Sequence, residues 1–277
     1  MHLIMFSLKK LLFFSLPLGL LLFAFSSAYG QVKSTNYNSD LNDLPSVHEV
    51  FRNFTTHNGG LHNLSRLQSA VVTGDMVIYS DDGSSQSNFR LYRKSPNKMR
   101  VQLSSRGTRS DVVYNGEKGW HRILQEDGKR KIVEIEGETL SKLSDSSAFN
   151  TLLYSLEDYL TDLTVIEFSS IRGRPCVRID IADDSLISKY SSIWVDLEHY
   201  QELKITLKEE IDSVTGKSTL SEVYYSEHKK VDGCYVAHKS EHYSDGILTK
   251  VTNINQVEFN EGLFDYFFTL QEQDSGD

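Results

Sequence analysis

Ala70-Val71-Val72-Thr73-Gly74-Asp75-Met76-Val77-Ile78-Tyr79, closed by Asp81-Asp82-Gly83, is the stretch that decides the fold. Side chains two positions apart share a face of a β-strand, and Val72, Met76 and Ile78 share one here. Asn88 to Lys94 and Lys98 to Ser104 follow at hairpin spacing, with Phe89 and Leu91 on one side of the first and Met99, Val101 and Leu103 on one side of the second. Working outward, Ser110 to Tyr114, Lys118 to Leu124 and Lys131 to Ile135 continue the alternation. Asn115-Gly116 reads as a two-residue type I′ turn, which needs positive φ at both central positions.

Beyond Leu160 the strand pattern resumes over Thr164 to Ser170, Pro175 to Ala182, Ser192 to Leu197, Leu203 to Ile211, Ser218 to Ser226, Tyr235 to Tyr243 and Leu248 to Phe259. Asp232-Gly233 and Asp245-Gly246 are the firm turn signals there. Helices are few. Ser46-Val47-His48-Glu49 has the capping-box form, Val47, Val50, Phe51 and Phe54 give that helix an apolar stripe, and Gly59-Gly60 ends it. From Glu138 to Leu160 the apolar period lengthens through Leu140, Leu143, Phe149, Leu152, Leu153, Leu156 and Leu160. The expected fold is mainly β (α+β): one strongly bent antiparallel sheet with a few helices, in a single domain over 46–270.

The first thirty residues read as an export signal, with Lys9 and Lys10 ahead of the apolar run Leu11 to Phe25 and a small-x-small site at Ala28-Tyr29-Gly30. Residues 31–45 read as a polar, flexible leader. No cysteine follows the apolar run, so a soluble extracytoplasmic protein is expected. A formal net charge of -9 with scattered carboxylates argues against nucleic acid as a partner. Cys176 and Cys234 are the only cysteines. In a simple meander they stand about 19 Å apart at roughly 4.8 Å per strand step, against about 5.5–6 Å for a disulfide; only closure of the sheet would bring them together.

Catalytic and metal motifs are sparse. G-x-S-x-G, H-E-x-x-H and the Walker-type phosphate loop do not occur. Cys234, His238 and His242 have helical metal spacing, but on a strand they span about 26 Å at roughly 3.3 Å per residue, too far for one zinc sphere. Asp183-Asp184 and Glu209-Glu210 are sequence neighbours, which on a strand point to opposite faces. No enzyme, cofactor or metal is expected.

The apolar register carries more. Val72, Met76, Ile78, Phe89, Leu91, Met99, Val101 and Leu103 in the first half, and Ile193, Val195, Leu203 and Ile205 in the second, make a long apolar wall. Such a wall is either a core packed by the helices or the lining of a hollow that accepts a fatty ligand. In the second case Leu140, Phe149, Leu152, Leu153 and Leu156 lie on the expected lid.

Several ordered stretches resemble the LolA-like outer-membrane lipoprotein-sorting proteins. They are the helix ending in Gly59-Gly60 with Leu61 to Leu67, then Val72-Thr73-Gly74-Asp75-Met76, and Leu91-Tyr92-Arg93-Lys94-Ser95-Pro96-Asn97-Lys98-Met99-Arg100. Tyr114-Asn115-Gly116-Glu117-Lys118-Gly119-Trp120 follows, and the series runs from Val231-Asp232-Gly233 to Asn260-Glu261-Gly262-Leu263-Phe264. Ala237 departs from the proline that relatives often carry. The resemblance implies a half-open barrel closed by helices and a periplasmic, monomeric, non-catalytic carrier. Its partners would be lipid or lipoprotein acyl chains in transport, together with sorting components of the inner and outer membranes. A sensor or regulatory module on the same scaffold is the alternative. No ligand contact is carried over onto a residue of this chain.

Overall fold

The computed structural model describes residues 44–124, 130–149, 156–182, 189–211 and 218–270. The export signal and nearly all of the leader lie outside these residues. Leu44, assigned to the leader by sequence, packs against the core.

Thirteen strands form one antiparallel sheet. In chain order they are β1 (Ser69–Ser80), β2 (Gly83–Lys94), β3 (Lys98–Ser105), β4 (Thr108–Tyr114), β5 (Gly119–Leu124), β6 (Arg130–Ile135), β7 (Leu163–Ile171), β8 (Arg174–Ile181), β9 (Tyr190–Asp196), β10 (Glu202–Leu207), β13 (Ser221–Val231), β14 (Cys234–Ser244) and β15 (Ile247–Phe259); a two-stranded pair, β11 (Glu210–Ile211) and β12 (Ser218–Thr219), stands apart. The spatial order β6-β5-β4-β3-β2-β1-β15-β14-β13-β10-β9-β8-β7 places β6 and β7 at opposite edges. The sheet is curved and open, so no edge-to-edge pairing closes it. Residues 136–162 therefore link one edge of the sheet to the other.

Turn chemistry explains the tight hairpins. Asp232-Gly233 and Asp245-Gly246 both have positive φ at the two positions, as a type I′ turn requires. Arg106-Gly107 and Arg172-Gly173 do the same without the usual Asn or Asp. Asn115-Gly116 does not: the loop runs over four residues, and only Gly116 of the pair has positive φ. There the Asn115 Oδ1 accepts from the Glu117 and Lys118 amides at 2.9 and 2.8 Å, so a side-chain turn replaces the two-residue hairpin.

Helix α1 (Val47–His57) starts where sequence placed it, the Ser46 hydroxyl accepting from the Glu49 amide at 3.2 Å. Its end is fixed by Asn58, fully buried, which donates to Phe54 O at 2.9 Å and accepts from the Tyr235 amide at 3.1 Å. Helix α2 (Gly60–Ser65) follows, and Asn63 donates to Asn58 O and Cys234 Sγ, seating this corner on the β13–β14 hairpin. Cys176 and Cys234 are buried free thiols, four strand positions apart in the open sheet, and burial pushes both up to about 11.

Candidate functional site

The inner face of the sheet is defined by register. One row runs Ile179, Ile193, Ile205, Val223, His242, Lys250, Ile78; a second runs Val257, Val72, Leu91, Val101, Val112. Val72, Met76, Phe89, Leu91, Met99 and Val101 are buried in one apolar cluster, with Ile78 and Leu103 packed against it. Ile193, Val195 and Ile205 belong to another, and Leu203 is buried as well. The wall read from sequence is thus divided into two. Over part of the sheet a polar strip separates them, made of the inward positions Ser240, His242, Lys250 and Thr252 on β14 and β15, while Leu64 packs against both clusters. Each half has its own cover: Val50 and Phe54 of α1 pack on the second cluster, and Leu143 of helix α3 (Gly137–Ser147) packs on the first.

Helix α3 sits on the sheet by a close fit and a set of polar ties. A Cβ at Gly119 would come within 2.7 Å of a Leu143 methyl and 3.2 Å of a Leu140 methyl, so the absent side chain makes the seat. The Tyr114 hydroxyl donates to Ser144 Oγ at 2.9 Å, and the Phe149 amide donates to Pro96 O at 3.0 Å. Leu140 and Phe149, expected on the lid, pack on the first cluster. Leu152 and Leu153 lie outside the described residues. Leu156 opens a short 3-10 segment, Leu156–Asp162, and its side chain is likewise outside them.

The residue that sequence reasoning missed is Arg93. It is 0% exposed, at an inward position two residues beyond Leu91. Its guanidinium donates to Ser146 O at 2.9 Å and to Ala148 O at 2.7 Å, satisfying carbonyls at the end of α3 that the helix itself leaves without donors. Its Nε has no acceptor. Burial pulls Arg93 down to about 10, still charged at neutral pH, while burial raises Tyr190 beside it. Strand parity, an arginine in phase with Phe89 and Leu91, was the available signal.

Buried histidines set the electrostatics of the rest. Burial holds His228 and His242 well below their ordinary value, with the positive charges of Arg174 and Lys250 respectively acting in the same direction. Unfolded histidine titrates near about 6.5, so below that pH the unfolded chain takes up protons that the folded chain refuses. The stability contribution is complete above about 6.5 and is lost on acidification, by up to about 1.4 kcal/mol per pH unit per histidine. The urea midpoint is therefore expected to fall steadily from pH 7 to pH 5, and His242→Gln should flatten that slope; a midpoint constant over the range would contradict it. Among the described residues no group of three or more His, Cys, Asp or Glu side chains assembles around a metal position.

No protein-family model matches the chain, and no curated protein matches it by sequence. Solved structures do match by shape. A DUF1329 family protein from Desulfovibrio piger superposes with a TM-score of 0.52 at 14% identity, covering 84% of this chain and 100% of that one. A LolA superfamily protein from Nitrosomonas europaea superposes with a TM-score of 0.50 at 13% identity, covering 82% and 99%. Likeness at this identity is one of architecture, and it agrees with the curved open sheet and its inner-face helices: this chain has the LolA-like half-barrel fold.

Proposed function

We propose that this protein binds the acyl chains of a lipid or lipoprotein, without catalysis, between the inner face of its sheet and helix α3. On this reading it is a single periplasmic domain, exported by a cleaved signal, that moves such chains between membranes. One observation carries the reading. Helix α3 and the residues after it to Phe149 lie over an apolar wall yet are held by replaceable contacts, a guanidinium on two carbonyls and a few side chains, rather than by strand pairing. The wall is closed by the chain's own residues, so a ligand enters when α3 moves aside. The polar strip of Ser240, His242, Lys250 and Thr252 between the apolar clusters suits an ester or amide at the head of the chain.

Magnitudes decide which ligands gain. Lifting Leu140, Leu143 and Phe149 off the first cluster costs roughly 4.5–9 kcal/mol, at about 1.5–3 kcal/mol per side chain. Burying a hydrocarbon tail returns about 0.8 kcal/mol per methylene, less the cost of immobilising it. A sixteen-carbon chain offsets the opening and an eight-carbon chain does not. Palmitate is therefore expected to displace a bound fluorescent fatty acid and octanoate to fail even at a hundredfold excess over palmitate. Equal displacement by both, or no uptake of the probe, would reject the reading.

A further inference from the structure

The opposite, outer face of the first half-sheet carries a feature that acyl binding does not use. Two neighbouring rows of outward residues cross it: Thr73, Arg90, Gln102, Asp111, Arg122, and beside them Asn88, Ser104, Arg109, with Arg130 on the edge strand. Together with Phe89, Leu103 and Ser110 of the adjoining inward row, they line a concave groove of about 580 Å³ that holds four arginines and a single carboxylate. The next row, Tyr92, Arg100, Val113 and Trp120, is covered by the C-terminal segment, where Phe268 and Leu270 pack on Val113.

The carboxylate is already committed. Asp111 is buried and accepts from Arg100 Nε at 2.9 Å, from a second Arg100 nitrogen at 2.5 Å and from Arg122 at 2.6 Å. Arg100 is further tied to Phe267 O at 3.0 Å, with its guanidinium 4.4 Å from the Phe267 ring centre. Asp111 thus acts as a brace that orients the floor of the groove. Arg90, Arg109 and Arg130 stand exposed around it. Neither Arg90 nor Arg109 has an ion pair among the described residues, and Arg90 rests over the Tyr92 ring at 5.3 Å. In a chain of net charge -9, this concentration of cations over a recess is not what solubility alone would place there.

Planar guanidinium groups pair with phosphate oxygens through two parallel hydrogen bonds. The amides of Asn88 and Gln102 and the hydroxyls of Thr73 and Ser104 supply neutral partners for sugar or glycerol hydroxyls between them. We propose that this outer groove is a binding site for a phosphate-bearing headgroup, recognised by Arg90, Arg109 and Arg122 and separate from the acyl-chain site on the inner face. The proposal stands independently of acyl binding: Phe89 and Leu103 of the inner wall also border the groove, but the arginines and neutral polar groups that would hold the headgroup are all at outward positions.

The test uses the full mature chain and two probes, inorganic pyrophosphate by calorimetry and vesicles of phosphatidylglycerol by flotation, with phosphatidylcholine vesicles as the neutral reference. The double variant Arg90→Gln/Arg109→Gln removes two exposed cations and should keep the wild-type melting temperature. Lys229→Gln/Lys230→Gln removes the same charge from exposed positions on β13. Binding of pyrophosphate or of phosphatidylglycerol vesicles, weakened at least tenfold by the arginine pair and less than twofold by the lysine pair, supports the site. Pyrophosphate alone identifies a soluble phosphate ester; vesicles identify a lipid headgroup. Equal loss in both double variants, equal flotation with phosphatidylcholine, or no binding of either probe overturns it.

Discussion

Arg93→Leu is expected to raise the amide exchange of helix α3 by roughly two orders of magnitude while leaving β1 and β2 within tenfold of wild type. The substitution removes both donors to Ser146 O and Ala148 O, each a charge-assisted hydrogen bond worth about 1.5–3 kcal/mol. Against this, leucine removes a buried cation whose Nε lacks an acceptor, a relief that returns part of the loss. A net weakening of about 3 kcal/mol in the attachment of α3 corresponds to the stated change in local opening, at 1.4 kcal/mol per factor of ten. Global stability should change less, because Leu143 and Phe149 remain packed against the first apolar cluster. Hydrogen exchange resolved by peptide distinguishes the two. Arg93→Lys should fall between, since one ammonium cannot reproduce the fork. Unchanged exchange in α3 would show that Arg93 is a structural residue and not the tie that holds the cover.

Gly74→Ala should cost at least about 3 kcal/mol of unfolding free energy, at the severe end of overpacking. The register of β1 against β15 shifts between Thr73 and Gly74, and a Cβ at Gly74 would lie 2.0 Å from Asn253 O, with Phe89 ring atoms at 2.7 and 2.8 Å. Phe89 could turn aside; the carbonyl is backbone and cannot. Relief therefore means prising apart the pair that joins the two halves of the sheet. Gly262→Ala is the control, because nothing lies within 4 Å of the added carbon. Urea unfolding of both variants gives the answer. A loss below about 1 kcal/mol at Gly74 would mean that the irregularity relaxes freely.

How much of this was legible depends on whether the signal is local. Alternation along single strands is local, and the thirteen strands of the main sheet sit close to where Val72, Met76 and Ile78 and their counterparts place them. The two-residue turns at Asp232-Gly233 and Asp245-Gly246 are local too. Arg106-Gly107 and Arg172-Gly173 escaped because arginine rarely enters the left-handed region, and only the hairpin around it forces it there. Arg93 could be read by parity as an inward residue, but what it binds, two carbonyls more than fifty positions away, depends on how α3 docks. The polar strip at Ser240, His242 and Lys250 was likewise visible in each strand separately. That it divides the apolar wall follows only from the pairing of β13, β14 and β15. The outer arginines come from four different strands and become neighbours only through register.

Acyl binding between the sheet and its cover is the claim on which the functional account rests, and native mass spectrometry of the protein, purified without detergent and then incubated with palmitoylated lipid, tests it most directly. The account predicts a one-to-one complex at the mass of protein plus lipid, retained by wild type and altered in occupancy by Arg93→Leu. A spectrum holding only the bare protein, before and after incubation and for both forms, would contradict it.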